Sequence, residues 1–241
     1  MMRIDKYLAD CGLGTRSEVK KYIKAKQITA NGELVAKPEQ KIDENTDVIC
    51  FKGQPISYEK YVYYLLHKPA GCVTAKQDNV HKTVMEYFPD DIKAKDIAPV
   101  GRLDLDTEGL LLFTNDGPLT HHLLSPTHHI PKTYYAILDK KVPETATELF
   151  KNGVDIGDDK PTLPAELVIL DITKDEMGNE VYSAELTIHE GRFHQVKRMF
   201  ESVGCTVTYL KRLSMGALVL GELKKGEYRK LTEEEVAILQ K

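Results

Sequence analysis

The sequence predicts an α+β protein in two unequal parts, a small basic module followed by a larger domain on a mainly antiparallel mixed sheet. Three observations carry this expectation. The first 60 residues hold 11 Lys and Arg against 9 Asp and Glu, although the whole chain has a net charge of −4. Beyond them, strand-like apolar segments outnumber helical ones, and their irregular order lacks the regular βαβ alternation of a doubly wound sheet. The length of 241 residues accommodates one sizeable core with a small module attached. The expected domains are 1–58 and 59–241.

The elements follow in order. A helix from about Arg3 to Cys11 is apolar at Ile4, Tyr7 and Leu8. Thr15 and Glu18 form a T-x-x-E capping box that starts a second helix at about Arg16, with Val19, Tyr22 and Ile23 on one face. Its Lys-rich remainder reads by itself as a solvated face. Asn31-Gly32, between "QITA" and "ELV", is a type I′ hairpin signal, and a strand near Asp47 to Phe51 ends at the turn-like "KGQP".

After residue 60, "YVYYLLHKPAGCV" gives a strand and then a Lys-Pro-x-Gly turn. Further strands are expected at 109–115, 132–139, 163–171, 181–188 and 206–213, and helices at about 118–124, 143–152, 193–203 and 232–240. The uniformly apolar "GLLLFT" reads as a buried strand. Asp116 precedes Gly117-Pro118 and reads as an N-cap, with Pro at the first helical position.

Composition narrows the function classes. A hydrophobic fraction of 41% with mixed charge is ordinary for a globular protein. No apolar stretch approaches the roughly 18 residues of a membrane span, and the N-terminus lacks a signal-peptide apolar region. A soluble, cytoplasmic protein with no membrane partner is expected. Cys11, Cys50, Cys72 and Cys205 form no C-x-x-C pair, so they read as reduced thiols. The negative net charge argues against indiscriminate coating of nucleic acid. No internal repeat and no Gly-rich phosphate loop is present, so neither ATP nor NAD is implied.

The chemistry-bearing stretch is "GRLDLDTEGLLLFTNDG", residues 101–117, which delivers Asp104, Asp106 and Glu108 at the edge of a strand. Acids in such loops are turn formers as well as catalysts. Two further segments matter. "HHIPKTYYAIL" sets Lys132, Thr133 and Tyr134 at a strand entrance, and "LTIHEGRFHQVKRMF" runs a strand through a Gly191-Arg192 turn into a helix bearing Lys197 and Arg198.

Two resemblances follow from these segments. The opening, through "RIDKYL", "TRSEVKKYI", "ITANGELV" and "DVI", resembles the αL-type RNA-binding domain named after ribosomal protein S-four. That likeness implies a small module whose Arg3, Lys6, Arg16, Lys20 and Lys21 sit on RNA phosphates, with a hydroxyl contact from Ser17. "GRLDLDTEG", "KTY" and "EGRFHQVKRMF", in that order behind the module, resemble the RsuA family of pseudouridine synthases across essentially the entire chain.

The RsuA-type resemblance implies an intramolecular isomerase with a pseudouridine synthase catalytic domain, needing no metal or organic cofactor. It implies that Asp104 is the catalytic carboxylate, as nucleophile or as base. Asp106 is then its neighbour, and with Glu108 shapes the loop or meets solvent. Tyr134 would pack against the uracil and Lys197 would bring positive charge to Asp104. Arg102, Arg192 and Arg198 would contact RNA near a uridine that leaves its stack. "LLSPTHHIPKTY" and "NGVDIGDDKPTLPAEL" are similar to the small-subunit members, so the expected partner is 16S ribosomal RNA in a small-subunit assembly intermediate, with the enzyme a monomer.

Other readings remain open from the residues alone. A large-subunit or transfer RNA target shares the same core. "DLD" imitates the D-x-D metal site of nucleotide-sugar glycosyltransferases, and His121, His122, His128 and His129 could suggest zinc, though without a recognisable ligand spacing. A non-catalytic RNA-binding assembly factor would share the basic module but have no use for Asp104.

Overall fold

The computed structural model describes residues 1–56 and 58–240; Ser57 and Lys241, which fall within the two expected domains, lie outside the described residues. The chain forms two compact units, Met1–Val62 with Pro89–Ile97, and Tyr63–Phe88 with Ala98–Lys241. A single cut at residue 58 does not anticipate the grouping of Pro89–Ile97 with the first unit. Ile92 and Ile97 of that segment are buried.

In the first unit, α1 (Ile4–Asp10) and α2 (Arg16–Lys24) precede β1 (Ile28–Ala30), β2 (Glu33–Leu34), β3 (Ile49–Phe51) and β4 (Gln54–Ile56). The Thr15 hydroxyl accepts from the Glu18 amide, and the Glu18 carboxylate accepts from the Thr15 amide at 2.7 Å. This reciprocal pair satisfies donors that a helix start leaves open. Asn31 and Gly32 join β1 to β2 at φ 51° and 84°, as a two-residue primed turn requires. Strand order is β2-β1-β3-β4, all antiparallel. Ile4, Tyr7 and Leu8 of α1 share a core with Val19 and Ile23 of α2. Tyr22 is partly buried and packs against Phe51.

The second unit contains β5 (Tyr63–Lys68), β6 (Glu108–Thr114), α3 (Gly117–Leu124), β7 (Lys132–Leu138), α4 (Thr145–Asn152), β8 (Glu166–Ile169), β9 (Glu180–Ile188), α5 (Gln195–Ser202), β10 (Val207–Met215), β11 (Tyr228–Lys230) and α6 (Glu233–Leu239). The main path of the sheet runs β8-β9-β7-β10-β6-β5-β11. Every neighbouring pair on it is antiparallel except β6 and β10. The fold is therefore α+β with a mixed, mostly antiparallel sheet.

The apolar run Leu110–Phe113 explains β6, whose seven residues are all buried. At its start Gly109 faces Arg212 of β10 in the parallel register. A Cβ on Gly109, at φ +107°, would stand 2.2 Å from the Arg212 carbonyl oxygen. Only glycine lets the two backbones approach so closely. Glu108 is the first residue of β6 and only 6% exposed, which corrects the expectation that it shapes the loop or meets solvent. Its carboxylate is instead bonded to the Tyr209 hydroxyl and paired with Lys225. Asp116 does cap α3, accepting from the Leu119 amide at 3.1 Å. Gly117 takes the first helical position there, so Pro118 is second.

Candidate active site

The loop 101–107 reaches β6 across a buried ammonium. Lys68, at the end of β5, is fully buried. Its Nζ donates to the carbonyls of Pro69, Asp104, Leu105 and Thr107 at 3.1, 3.0, 3.4 and 2.8 Å. Burial pulls the pKa of Lys68 below the ordinary lysine range. On the other side of the loop, the Thr74 hydroxyl donates to the Leu103 carbonyl and accepts from the Leu103 amide. The backbone carrying Asp104 is thus held by groups that satisfy its buried carbonyls.

The Asp104 side chain, about one-third exposed, has Lys197 Nζ 3.6 Å from Oδ2 and His194 Nε2 3.6 Å from Oδ1. Lys197, on the first turn of α5, is closer to Asp106, at 2.6 and 2.8 Å from its two carboxylate oxygens. The lysine assigned to Asp104 from sequence therefore spans both acids. Burial opposes ionisation of Asp106, but the bond and charge of Lys197 outweigh it and lower its pKa. The second acid of "DLD" is thus paired with an ammonium.

His194 caps α5 in the left-handed region, at φ 49°, and the ring of exposed Phe193 stacks on it at 3.8 Å. The helix expected from residue 193 accordingly begins at Gln195. Tyr134 is buried on β7, cross-strand from Leu186 and Arg212. A cleft of about 770 Å³ is lined by Arg102, Asp104, Lys132, Tyr134, His194 and Arg212, among others. That volume suits one nucleoside-sized ligand. Among the described residues, no group of three or more His, Cys, Asp or Glu side chains is arranged to hold a metal ion.

The basic residues expected on RNA divide into two sets. Arg102 is exposed at the cleft, and Lys6, Arg16, Ser17, Lys20 and Lys21 are exposed on the first unit. Arg192 and Arg198 are committed within the protein. Arg192 bonds to Glu190 and to the carbonyls of Lys160 and Pro161, while Arg198 bonds to Asp158 and to the carbonyls of Phe193 and Ile156. They fasten the 156–161 segment to the start of α5, an internal use that the sequence expectation of RNA contact did not foresee. Arg3 is likewise engaged, by Asp5 and Glu39.

Sequence reading missed Lys68, His194 and Arg212. The first lay in a segment read as a turn, the second in the basic motif, and the third at an inward position of a strand whose neighbour Leu210 also lines the cleft.

Comparison with known proteins identifies the family. Residues 62–202 match the RNA pseudouridylate synthase family and residues 2–48 match the S4 domain. The chain is 41% identical to the RNA pseudouridine synthase YtzG of Bacillus subtilis (strain 168), over 99% of this chain and 98% of that one. It is 39% identical to ribosomal small subunit pseudouridine synthase A of Escherichia coli (strain K12), over 98% and 99% of the two chains. A crystal structure of a pseudouridylate synthase, 38% identical, superimposes with a TM-score of 0.68 over 99% of this chain and 100% of the other. The family match spans more than half of the sequence and the relatives align from end to end, so the chain belongs to the RNA pseudouridylate synthase family and is a pseudouridine synthase with an N-terminal S4 domain.

Proposed function

We propose that the enzyme isomerises one uridine of 16S ribosomal RNA, with Asp104 as the catalytic carboxylate and Tyr134 and Lys197 completing the site. The observation that carries this reading is Asp104 itself, a part-exposed carboxylate in a nucleoside-sized cleft, with Lys197 and His194 beside its two oxygens. The small-subunit target draws its support from relatives such as the ribosomal small subunit pseudouridine synthases A of Escherichia coli and Haemophilus influenzae. The working partner is a small-subunit assembly intermediate met in the cytoplasm by a monomeric enzyme. Residues 1–58 form the RNA-binding domain and 59–241 the catalytic domain, with Lys6, Arg16, Ser17, Lys20, Lys21 and Arg102 as the RNA contacts.

In this reading the uridine leaves its stack, at a cost of a few kcal/mol, and its uracil lies against Tyr134. The N1–C1′ bond opens with its electron pair going to the uracil, the ring turns, and a C5–C1′ bond forms. The proton on C5 is lost and N1 gains one, so no atom or electron enters from outside. Asp104 acts as nucleophile or as base. Lys197, held chiefly by Asp106, keeps positive charge near the reacting carboxylate.

Asp104→Asn tests the assignment, since the amide keeps the shape but cannot serve as nucleophile or base. Pseudouridine formation should vanish while RNA affinity persists, and Asp106→Asn should be milder. Substantial turnover by Asp104→Asn refutes the assignment. Mapping pseudouridine in ribosomal and transfer RNA with and without the protein identifies the target and separates small-subunit from large-subunit and transfer RNA sites.

A further inference from the structure

We propose that Lys132 and Arg212 form a cationic seat for the carbonyl oxygens of the uracil being isomerised, and that they bind the negative charge reaching those oxygens when the N1–C1′ bond opens. The proposal deepens, and rests on, the reading of the cleft as a uridine site.

Both side chains line the cleft beside Tyr134, which is the cross-strand partner of Arg212. Arg212 is 2% exposed; its Nε donates to the Leu110 carbonyl at 2.8 Å, and its buried Nη2 has no hydrogen-bond partner among the described residues. The half-buried Lys132 donates to the Ile130 carbonyl at 2.9 Å. Neither cation takes part in any of the ion pairs found among the described residues. Burial and the nearby Arg212 charge both lower the pKa of Lys132. A half-buried ammonium within electrostatic reach of a buried guanidinium that has an idle donor is costly for the empty protein. An acceptor-rich ligand in the cleft relieves that cost.

Uracil fits this demand better than phosphate. When a base swings into a pocket, its phosphates stay with the strand outside. Arg212 is buried at the cleft, cross-strand from Tyr134, whereas Arg102 is exposed and open to the backbone. Uracil carries two exocyclic carbonyl oxygens, and heterolysis of N1–C1′ spreads its electron pair onto both. Fixed donors at developing negative charge act far more strongly in a water-poor site than in solution. The charge leaves again when C5 bonds to C1′ and N1 takes up a proton.

The test uses the full-length enzyme on an RNA fragment containing its mapped uridine, with that uridine either unmodified or replaced by 2-thiouridine or 4-thiouridine. Lys132→Met is the principal variant, and Arg212→Lys, which keeps the charge but loses the planar fork, is the second. At saturating RNA the single-turnover rate of Lys132→Met should fall about 10²-fold, with RNA affinity little changed. Sulfur is a weak acceptor, so at least one thio substitution should slow the wild type and slow Lys132→Met less, giving a non-additive cycle. An unchanged saturating rate overturns the proposal, as does weaker RNA binding with the rate retained, which marks a phosphate contact. Thio and Lys132→Met effects that simply multiply for both oxygens also overturn it. If Arg212→Lys does not fold, Lys132→Met decides. Failure of the underlying reading shows separately, as an Asp104→Asn enzyme that still makes pseudouridine at a substantial rate.

Discussion

Replacing Lys68 with methionine keeps the length of the buried stem and deletes its ammonium. Three of the four carbonyls bonded by that ammonium belong to Asp104, Leu105 and Thr107, in the loop that carries the proposed catalytic carboxylate. The Asp104 and Leu105 carbonyls keep donors in the Thr107 and Gly71 amides, so what these carbonyls lose is a bond to a charged group, worth roughly 1.5–3 kcal/mol each, and the gross loss over the three is about 4.5–9 kcal/mol. Two effects offset it. The ammonium no longer has to be desolvated, a cost evident in its lowered pKa, and a displaced loop can turn its carbonyls toward water. The net destabilisation expected is about 2–4 kcal/mol, less than the roughly 5–15 kcal/mol that holds a domain together. Lys68→Met should therefore remain folded with its loop shifted, and a displacement near 1 Å costs on the order of 10² in rate. Urea titration measures the stability, single-turnover pseudouridine formation the rate, and RNA titration the affinity. Loss of rate at saturating RNA with affinity preserved is the expected pattern. Wild-type rate and stability in Lys68→Met refute the argument, because they mean that the loop holds its position without the ammonium.

Glu108→Gln tests a pH effect. Burial opposes the charge of Glu108, but Lys225 and the Tyr209 hydroxyl, at 2.8 and 2.7 Å, keep its pKa below the ordinary 4.5. A lowered carboxyl contributes stability above its unfolded pKa and loses it as pH falls, so the variant should flatten the acid side of the stability curve below about pH 4.5, measured by urea titration. Gly109→Ala would drive a Cβ into the Arg212 backbone and should destabilise by about 3 kcal/mol or more; a thermal or urea midpoint equal to wild type contradicts the close packing of β6 and β10. Replacing Lys6, Arg16, Lys20 and Lys21 together by Gln should reduce the slope of log affinity against log salt by roughly 0.7–0.9 for each RNA phosphate that is no longer neutralised. An unchanged slope shows that these exposed charges do not meet RNA.

The sequence by itself determined whatever depends on neighbours along the chain. Thr15 and Glu18 are three residues apart, so their reciprocal cap is readable locally, as are the Asn31-Gly32 turn, the Asp116 cap and the apolar run of β6. The motif around Asp104 and the segments holding Tyr134 and Lys197 were also recognisable, because their chemistry is written in contiguous residues. Tertiary structure alone decided which groups surround them. Lys68 meets the Asp104 carbonyl across 36 positions, Lys197 meets Asp106 across 91, and Arg212 meets the Leu110 carbonyl across 102. Glu108 read as a loop acid until Tyr209 and Lys225 were seen to hold it at the buried start of a strand. Arg192 and Arg198 likewise take internal partners, Asp158 and carbonyls between 156 and 161, from a segment more than 30 residues away. Helix caps and turns act over a few residues, so local order fixes them. The partner of a buried charge is set by strand order and register, which bring distant segments together and leave no trace in the spacing of either one.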